Sequence, residues 1–511
     1  MQSDPEQIEA LTGLGQLAMR GGDAEGARGV AERLVQRHPN STAAWQFKAD
    51  LAYAMREQDQ ALAAYARISA LDPGKLQPHI VRSYLLGVKG DQAGAQAEVR
   101  QAAKIAPGSL AVLYAQAIVD YNSGRHKQAL EGLQTVLSKS PQHMPSVLLS
   151  GAVQLALGAL PQAQQDLERY LEDAPDNRYA RKLLATALLR QGQGEQALAR
   201  LAPLLKDDHD IEALTLAGKA YVASGQFDAA SAVFARAAAA NPNSPALRTA
   251  LGMSRMSQGQ EAAALADMDA AARMEKADTA ARLALATSLL QTRHYDKALA
   301  ALEQLEQATP KDPVLQLLRG GAYQGKQNDA QARASYEKAL SLQADYFPAV
   351  AALARMDAQA GKLDAAQRRL SDFAAAQPKQ VAPLTLLADL ARARGAGDQA
   401  LQWARKAAAV QPDAPATTVA LGRELLANGQ QAEALTLLRK AHAAQPANEE
   451  ILDVLAQAQL AGGDAPAALE SYSKLTGLAP RNPLAHARLA SAYLATRNES
   501  AAEDSLKKPW R

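Results

Sequence analysis

Apolar residues recur at helical spacing along the whole chain, and the arrangement restarts every 34 residues. Alanine marks the restart at Ala27, Ala61, Ala95, Ala129, Ala163 and Ala197. After a single step of 33 residues it continues through Ala230, Ala264, Ala298, Ala332, Ala366, Ala400, Ala434, Ala468 and Ala502. Other columns keep this register. Twelve residues before each alanine the side chain is small, as at Gly15, Ala49, Ser83, Gly218, Gly252 and Gly320. A larger apolar column holds Tyr65, Leu133, Leu167, Phe234, Tyr336, Leu438 and Tyr472. Polar and charged residues fill the positions between.

Each period therefore predicts two amphipathic helices of roughly 13 residues, repeated as an all-α solenoid. Five residues before the alanine stands a glycine, replaced only by Arg56, Arg293, Gln327 and Arg497. That column marks the turn between the two helices, because glycine accepts the left-handed backbone that ends a helix. Twelve residues after the alanine a proline recurs, failing at His209, Lys276 and Ala344. It stops the second helix and marks entry to the next repeat. Asn40, Ser41, Asp176, Asn243, Asp312, Asp413, Asn448 and Asn482 follow it as expected N-caps. The two small columns are expected to face each other where helices cross, with the larger residues filling the seam.

The pattern fails in a few places. The 33-residue step contains Pro203 inside a predicted second helix, and the turn proline is missing from Lys206-Asp207-Asp208-His209-Asp210. Residues 200–212 are read as an irregular junction, either a hinge or a local adjustment without motion. It divides an N-terminal arm, residues 1–199 with repeats one to six, from a C-terminal arm, residues 213–511 with repeats seven to fifteen. The first repeat starts near Ile8 with no polar capping helix. The fifteenth starts near Pro483 and meets Pro509 in Lys507-Lys508-Pro509-Trp510-Arg511. Solenoids normally end in polar caps. The expectation is a segment of a longer array, about fourteen complete repeats and a partial fifteenth.

These columns resemble the tetratricopeptide repeat. Repeat seven carries its signature in Ala217, Gly218, Tyr221, Gly225, Ala230, Phe234, Ala237 and Pro242. Repeat ten carries Gly320, Tyr323, Ala332, Tyr336 and Ala339 without the proline. The resemblance implies a right-handed superhelix whose first helices line a concave groove. Family geometry places inward residues at the second, fifth, ninth and twelfth positions of each repeat. Read onto this chain, the partner-binding candidates are Tyr53, Ile80, Tyr84, Tyr114, Ile118 and Tyr121, followed by Tyr179, Lys182, Lys219, Met253 and Met256. The C-terminal arm offers Arg355, Asp389, Arg392, Arg423 and Asp453. Two readings of the tyrosines stand: ligand contact in the groove, or packing between repeats. The Lys/Asn set by which some relatives clamp acidic chaperone tails is replaced here by Thr12, Gln16, Gln46, Asp50, Ile80 and Tyr84.

Composition narrows the classes. The net charge of +2 favours neither nucleic acid nor an acidic membrane surface. There is no cysteine, hence no disulfide or thiolate chemistry. No apolar run approaches the roughly 20 residues of a membrane span, and Met1 to Glu9 is polar. No zinc, phosphate-loop or dinucleotide motif occurs. The eight histidines are read as solvated or capping, and Asp207, Asp208 and Asp210 as a turn. The expectation is a protein without catalytic, cofactor or metal residues, whose partner is a protein or peptide, or else a polysaccharide. An array detached from a catalytic domain is the remaining alternative.

A narrower resemblance rests on residues 147–205. Val147 through Val153, Leu157-Gly158, Leu171 through Ala185, Gln191-Gly192-Gln193 and Ala202-Pro203-Leu204-Leu205 are similar to a bacterial repeat family encoded with exopolysaccharide and PEP-CTERM sorting systems. It implies an exported, periplasmic scaffold whose signal lies outside this chain; without it the expectation is cytoplasmic.

Overall fold

A computed structural model describes residues 5–275, 277–480 and 482–507. Of the positions singled out above, Lys276 and the stretch from Lys508 to Arg511 lie outside the described residues. Regular structure among the described residues is helical, arranged as one helix–turn–helix pair per predicted repeat. Most helices run 13 or 14 residues, as Ile211–Ala223 and Phe227–Ala240 do in repeat seven. The chain forms two compact units, Met1–Ala277 with repeats one to eight and Asp278–Arg511 with repeats nine to fifteen. The irregular junction at 200–212 falls inside the first unit.

All fifteen positions of the glycine column have left-handed backbone, including the four without glycine. Their φ values are 60° at Arg56, 62° at Arg293, 59° at Gln327 and 60° at Arg497. The requirement is imposed by hydrogen bonding. In repeat seven the Gly225 N–H donates to the Val222 carbonyl at 3.0 Å and the Gln226 N–H to the Tyr221 carbonyl at 2.8 Å. This pair recurs at every turn between first and second helices. It satisfies carbonyls that a helix end would otherwise leave unpaired.

The N-caps are partly as expected. Ser41, Asp312, Asn448 and Asn482 each accept a hydrogen bond from a backbone N–H in the first turn of their helix. Asn177 and Ser244 cap where Asp176 and Asn243 were expected, one residue later. Ala414 occupies the cap position after Asp413 and makes no side-chain bond. Ser41 alone takes the place shared with Asn40. The helix start is set by the packing of its apolar face, and whichever residue precedes it becomes the cap.

Every alanine of the fifteen-member column is buried, none more than 4% exposed. The small column twelve residues earlier is buried throughout as well. A Cβ on Gly218 would lie 2.5 Å from the Phe234 ring, and one on Gly320 would lie 2.3 Å from Tyr336. At Gly151, Gly218, Gly252, Gly320 and Gly422 the small position thus receives the large side chain sixteen residues later in the same repeat, whereas Gly15 receives Phe47 from the second repeat. This corrects the expectation that the small columns simply face each other. They do approach at Gly252, where the Ala264 carbonyl is 2.9 Å from the missing Cβ, but Met268 Cγ is closer at 2.7 Å. From the second helix the seam continues into the next repeat, as Ala230 and Phe234 pack with Leu251.

At the junction the second helix of repeat six, Gly194–Leu201, stops after 8 residues and tightens into a 3₁₀ turn, Ala202–Lys206. Pro203 has no N–H to continue the α-helical ladder. The acidic turn that follows is tied down by neighbouring helices. Arg178 reaches Asp207 at 2.7 Å and Asp210 at 2.9 Å, while Arg236 donates to Asp208 at 2.7 Å. The His209 backbone N–H, and then Arg178, hold the Asp207 carboxyl below its ordinary pKa. These carboxylates are already compensated by protein cations.

Two outcomes test this packing. Ala264→Leu should destabilise the protein by about 1–3 kcal/mol through overpacking, measured by chemical denaturation. Arg293→Gly should stabilise it by up to about 1 kcal/mol. Relief of roughly 1–2 kcal/mol of left-handed strain outweighs the extra chain entropy of glycine.

Candidate functional site

First helices of successive repeats touch one another. In the first unit this joins repeats one with two, three with four, four with five, five with six, and six with seven. In the second unit it joins nine with ten, eleven with twelve, and thirteen with fourteen. First helices therefore form the tighter side of each stack, where residues from neighbouring repeats can converge on one ligand.

Three of them enclose a hollow in the first unit. Thr42–Ala54 contributes Tyr53, Leu76–Val88 contributes Ile80 and Tyr84, and Leu110–Asn122 contributes Tyr114 and Ile118. Val81, Ser83, Ala115 and Val119 complete a cavity of about 190 Å³. A cavity of roughly 150 Å³ with an apolar lining suffices to hold a benzene ring. Tyr53 and Tyr84 are 45% and 46% exposed, so their rings face solvent across the mouth. Ser83, the non-aromatic polar residue of the lining, donates its hydroxyl to the Ile80 carbonyl at 2.7 Å. The interior is consequently apolar. Tyr114 packs edge-on against His143 with ring centroids 5.1 Å apart. Burial first, and then the Tyr84 and Tyr170 hydroxyls, raise the Tyr114 pKa above its ordinary value. The phenol stays neutral at physiological pH and donates its hydroxyl to the Pro145 carbonyl at 3.5 Å.

The other predicted residues are distributed differently. Tyr121 lies outside the cavity and stacks at a tilt on His126, with centroids 5.5 Å apart. Tyr179 is half exposed; burial and then the neighbouring Tyr121 raise its pKa. Lys182 is committed to Glu212 at 2.5 Å and Asp210 at 3.4 Å. Lys219 is exposed, Met253 is exposed and Met256 is half-buried. In the second unit Arg355 and Arg423 are exposed, while Arg392 binds Asp389 and the buried Glu424. Asp453 forms an ion pair with Arg488 and accepts a hydrogen bond from Gln457 at 3.0 Å.

The tyrosines thus divide by column. Tyr65, Tyr336 and Tyr472 are buried packing residues, whereas Tyr53, Tyr84 and Tyr179 are half exposed on the first-helix face. Several residues escaped sequence reasoning. Val81, Ser83, Ala115 and Val119 lie off the inward positions and reach the cavity because adjacent helices cross there. Glu424 and Arg488 were missed for the same reason, although each is a lone charge in a column that is otherwise uncharged, which was a usable signal. The reading of the histidines as solvated or capping also needs correction. His79 is buried with Nδ1 2.7 Å from Glu98, and His486 is buried with Nε2 2.9 Å from the Pro480 carbonyl.

Family models described as tetratricopeptide repeat match residues 8–51, 154–219, 211–254, 255–320, 315–346, 419–483 and 454–508. Among solved structures, the chain is similar to that titled "Crystal structure of APC/C hetero-tetramer Cut9-Hcn1". The identity is 13% with a TM-score of 0.39, covering 95% of this chain and 96% of that one. Yeast Tom70 matches at 16% identity and a TM-score of 0.42, covering 84% of this chain and 96% of its own. A tetratricopeptide repeat protein from Parabacteroides merdae ATCC 43184 matches at 13% identity and a TM-score of 0.40, covering 49% of this chain and 99% of its own. No curated protein matches in sequence. The family matches together span more than half of the sequence and fall on the helix pairs described above, and on that ground the chain belongs to the tetratricopeptide repeat family.

Proposed function

We propose that this protein is a non-catalytic interaction scaffold whose first-helix face, in the unit of repeats one to eight, grips an extended peptide segment by one apolar or aromatic side chain. The observation that carries this reading is the cavity formed by Tyr53, Tyr84 and Tyr114 with Ile80 and Ile118. Aromatic walls bury large area at low entropic cost, and the anchors of an interface typically fill such pockets. A sugar is disfavoured at this cavity. Its hydroxyls would be desolvated with few partners, since the Ser83 hydroxyl is already engaged. The half-exposed Tyr179 ring beside Tyr121 is the one feature that suits glycan stacking.

The strings between residues 147 and 205 support placing this scaffold with exopolysaccharide production or PEP-CTERM protein export, outside the cytoplasm. No helix among the described residues is long and apolar enough to cross a membrane. Fractionation of cells expressing the native gene tests the compartment; a purely cytosolic distribution rejects it.

Peptide arrays probed with the full chain should select segments containing Phe, Tyr, Trp or Leu. Tyr84→Ala should weaken the selected peptides by about 2 kcal/mol, a typical hot-spot loss. Tyr121→Ala, outside the cavity, should weaken them less. Both variants should keep the parent melting temperature. Unchanged affinity of Tyr84→Ala rejects the cavity as the anchor site, and selection of oligosaccharides over every peptide rejects the peptide reading.

A further inference from the structure

Several carboxylates on first helices are cancelled by a neighbouring cation. Arg125 holds Asp120 at 2.7 Å, Arg333 holds Asp357 at 2.7 Å, Arg392 holds Asp389 at 3.0 Å, and Arg488 holds Asp453. Asp50, on Thr42–Ala54, differs: it is exposed and has no cationic partner among the described residues. Lys48, the basic residue of the same helix, is bound to Glu32 at 2.6 Å.

Neutral groups fix the Asp50 carboxylate in place. The buried Tyr65 hydroxyl donates to Oδ1 at 2.7 Å, and the Gln46 side-chain amide donates to the same oxygen at 2.8 Å. Oδ2 takes part in neither bond. Asp50 lines an open hollow of about 450 Å³ between Pro5–Arg20 and Thr42–Ala54, with Glu9, Gln16 and Gln46 among its neighbours and no lysine or arginine. An acceptor already oriented needs no rearrangement on binding. Its hydrogen bond to a cation is also stronger than one between neutral groups.

The position of this carboxylate connects it to the tyrosine cavity. Asp50 stands eleven residues before its repeat alanine, the place that Tyr84 and Ile118 hold in the next two repeats. Both of those line the cavity, as does Tyr53 on the same helix as Asp50. The rise from Asp50 to Tyr53 is about 4.5 Å, and packed helices stand roughly 8–10 Å apart. An extended chain covers such spans in about two or three residues. The cation that fits is organic, because no group of three or more His, Asp or Glu among the described residues is placed to hold a metal ion.

We propose that the segment held by the tyrosine cavity carries a lysine or arginine two or three residues from its aromatic anchor, and that Asp50 selects it. The inference rests on the reading of that cavity as a peptide anchor site. Glutamate at the same place would meet Asp50, with Glu9 in the same hollow, and be repelled.

Fluorescence anisotropy on the full chain tests it with three labelled peptides, each with one phenylalanine. They carry lysine, glutamine or glutamate three residues to either side of it. Affinity should fall in the order lysine, glutamine, glutamate. Lysine should lead glutamine by about fivefold, the upper range for an exposed ion pair, and salt should narrow the gap. Asp50→Asn keeps Oδ1 as acceptor for Tyr65; it should leave the melting curve and the glutamine peptide unchanged while abolishing the lysine preference. Asp50→Lys should reverse the order. Tyr84→Ala should weaken all three peptides by one factor and preserve their ratio, so failure of the cavity and failure of the Asp50 assignment are separable. Equal affinity for the lysine and glutamine peptides, or a lysine preference that survives Asp50→Asn, would overturn the proposal. Absence of binding by all three would overturn it together with the cavity reading.

Discussion

The structure depends on one steric fit, a small residue on the first helix receiving a large residue from the second helix of the same repeat. Gly218 against Phe234 and Gly320 against Tyr336 leave no room for even a methyl group. The buried alanine lies one helical turn from the large residue and keeps the second helix close to its neighbours. Close packing of this kind has little tolerance for added volume. The columns hold through fifteen repeats because each repeat meets only its neighbours and faces the same constraint every time.

The turn between helices is a second constraint, subordinate to the first. Helix crossing fixes where the first helix must end, and the chain must then reverse within a few residues. Left-handed backbone with two closing hydrogen bonds accomplishes that. Arg56, Arg293, Gln327 and Arg497 adopt it despite their side chains, so tertiary packing prevails over local preference at those four turns. At residues 202–206 the opposite occurs. Pro203 prevails locally, the α-helix tightens to 3₁₀, and the acidic turn after it is held by Arg178 and Arg236.

Because the columns consume only part of each helix, the remaining first-helix positions are free to vary. In the first unit they supply Tyr53, Tyr84 and Ile118; in the second they supply Arg355, Asp389 and Arg423. The same scaffold thus presents an apolar hollow in one unit and a column of mixed charge in the other. Most of the cavity lining sits off the packing columns, with Ser83 belonging to both.

Much of the fold was legible from the sequence alone. Period, helix pairing, turn positions and the buried columns all follow from short-range rules repeated until the register is unambiguous. Of the residues the repeat family assigns to the inward face, Tyr53, Ile80, Tyr84, Tyr114 and Ile118 line one cavity. What the sequence left open was decided by contacts between repeats. Tyr121 pairs with His126 rather than joining the cavity, Lys182 is spent on Asp210 and Glu212, and Arg423 lies near Arg488 with no carboxylate partner among the described residues. Sequence periodicity assigns a residue to a face. Only the crossing of helices from different repeats determines which side chains on that face meet, which charges cancel, and which remain for a partner.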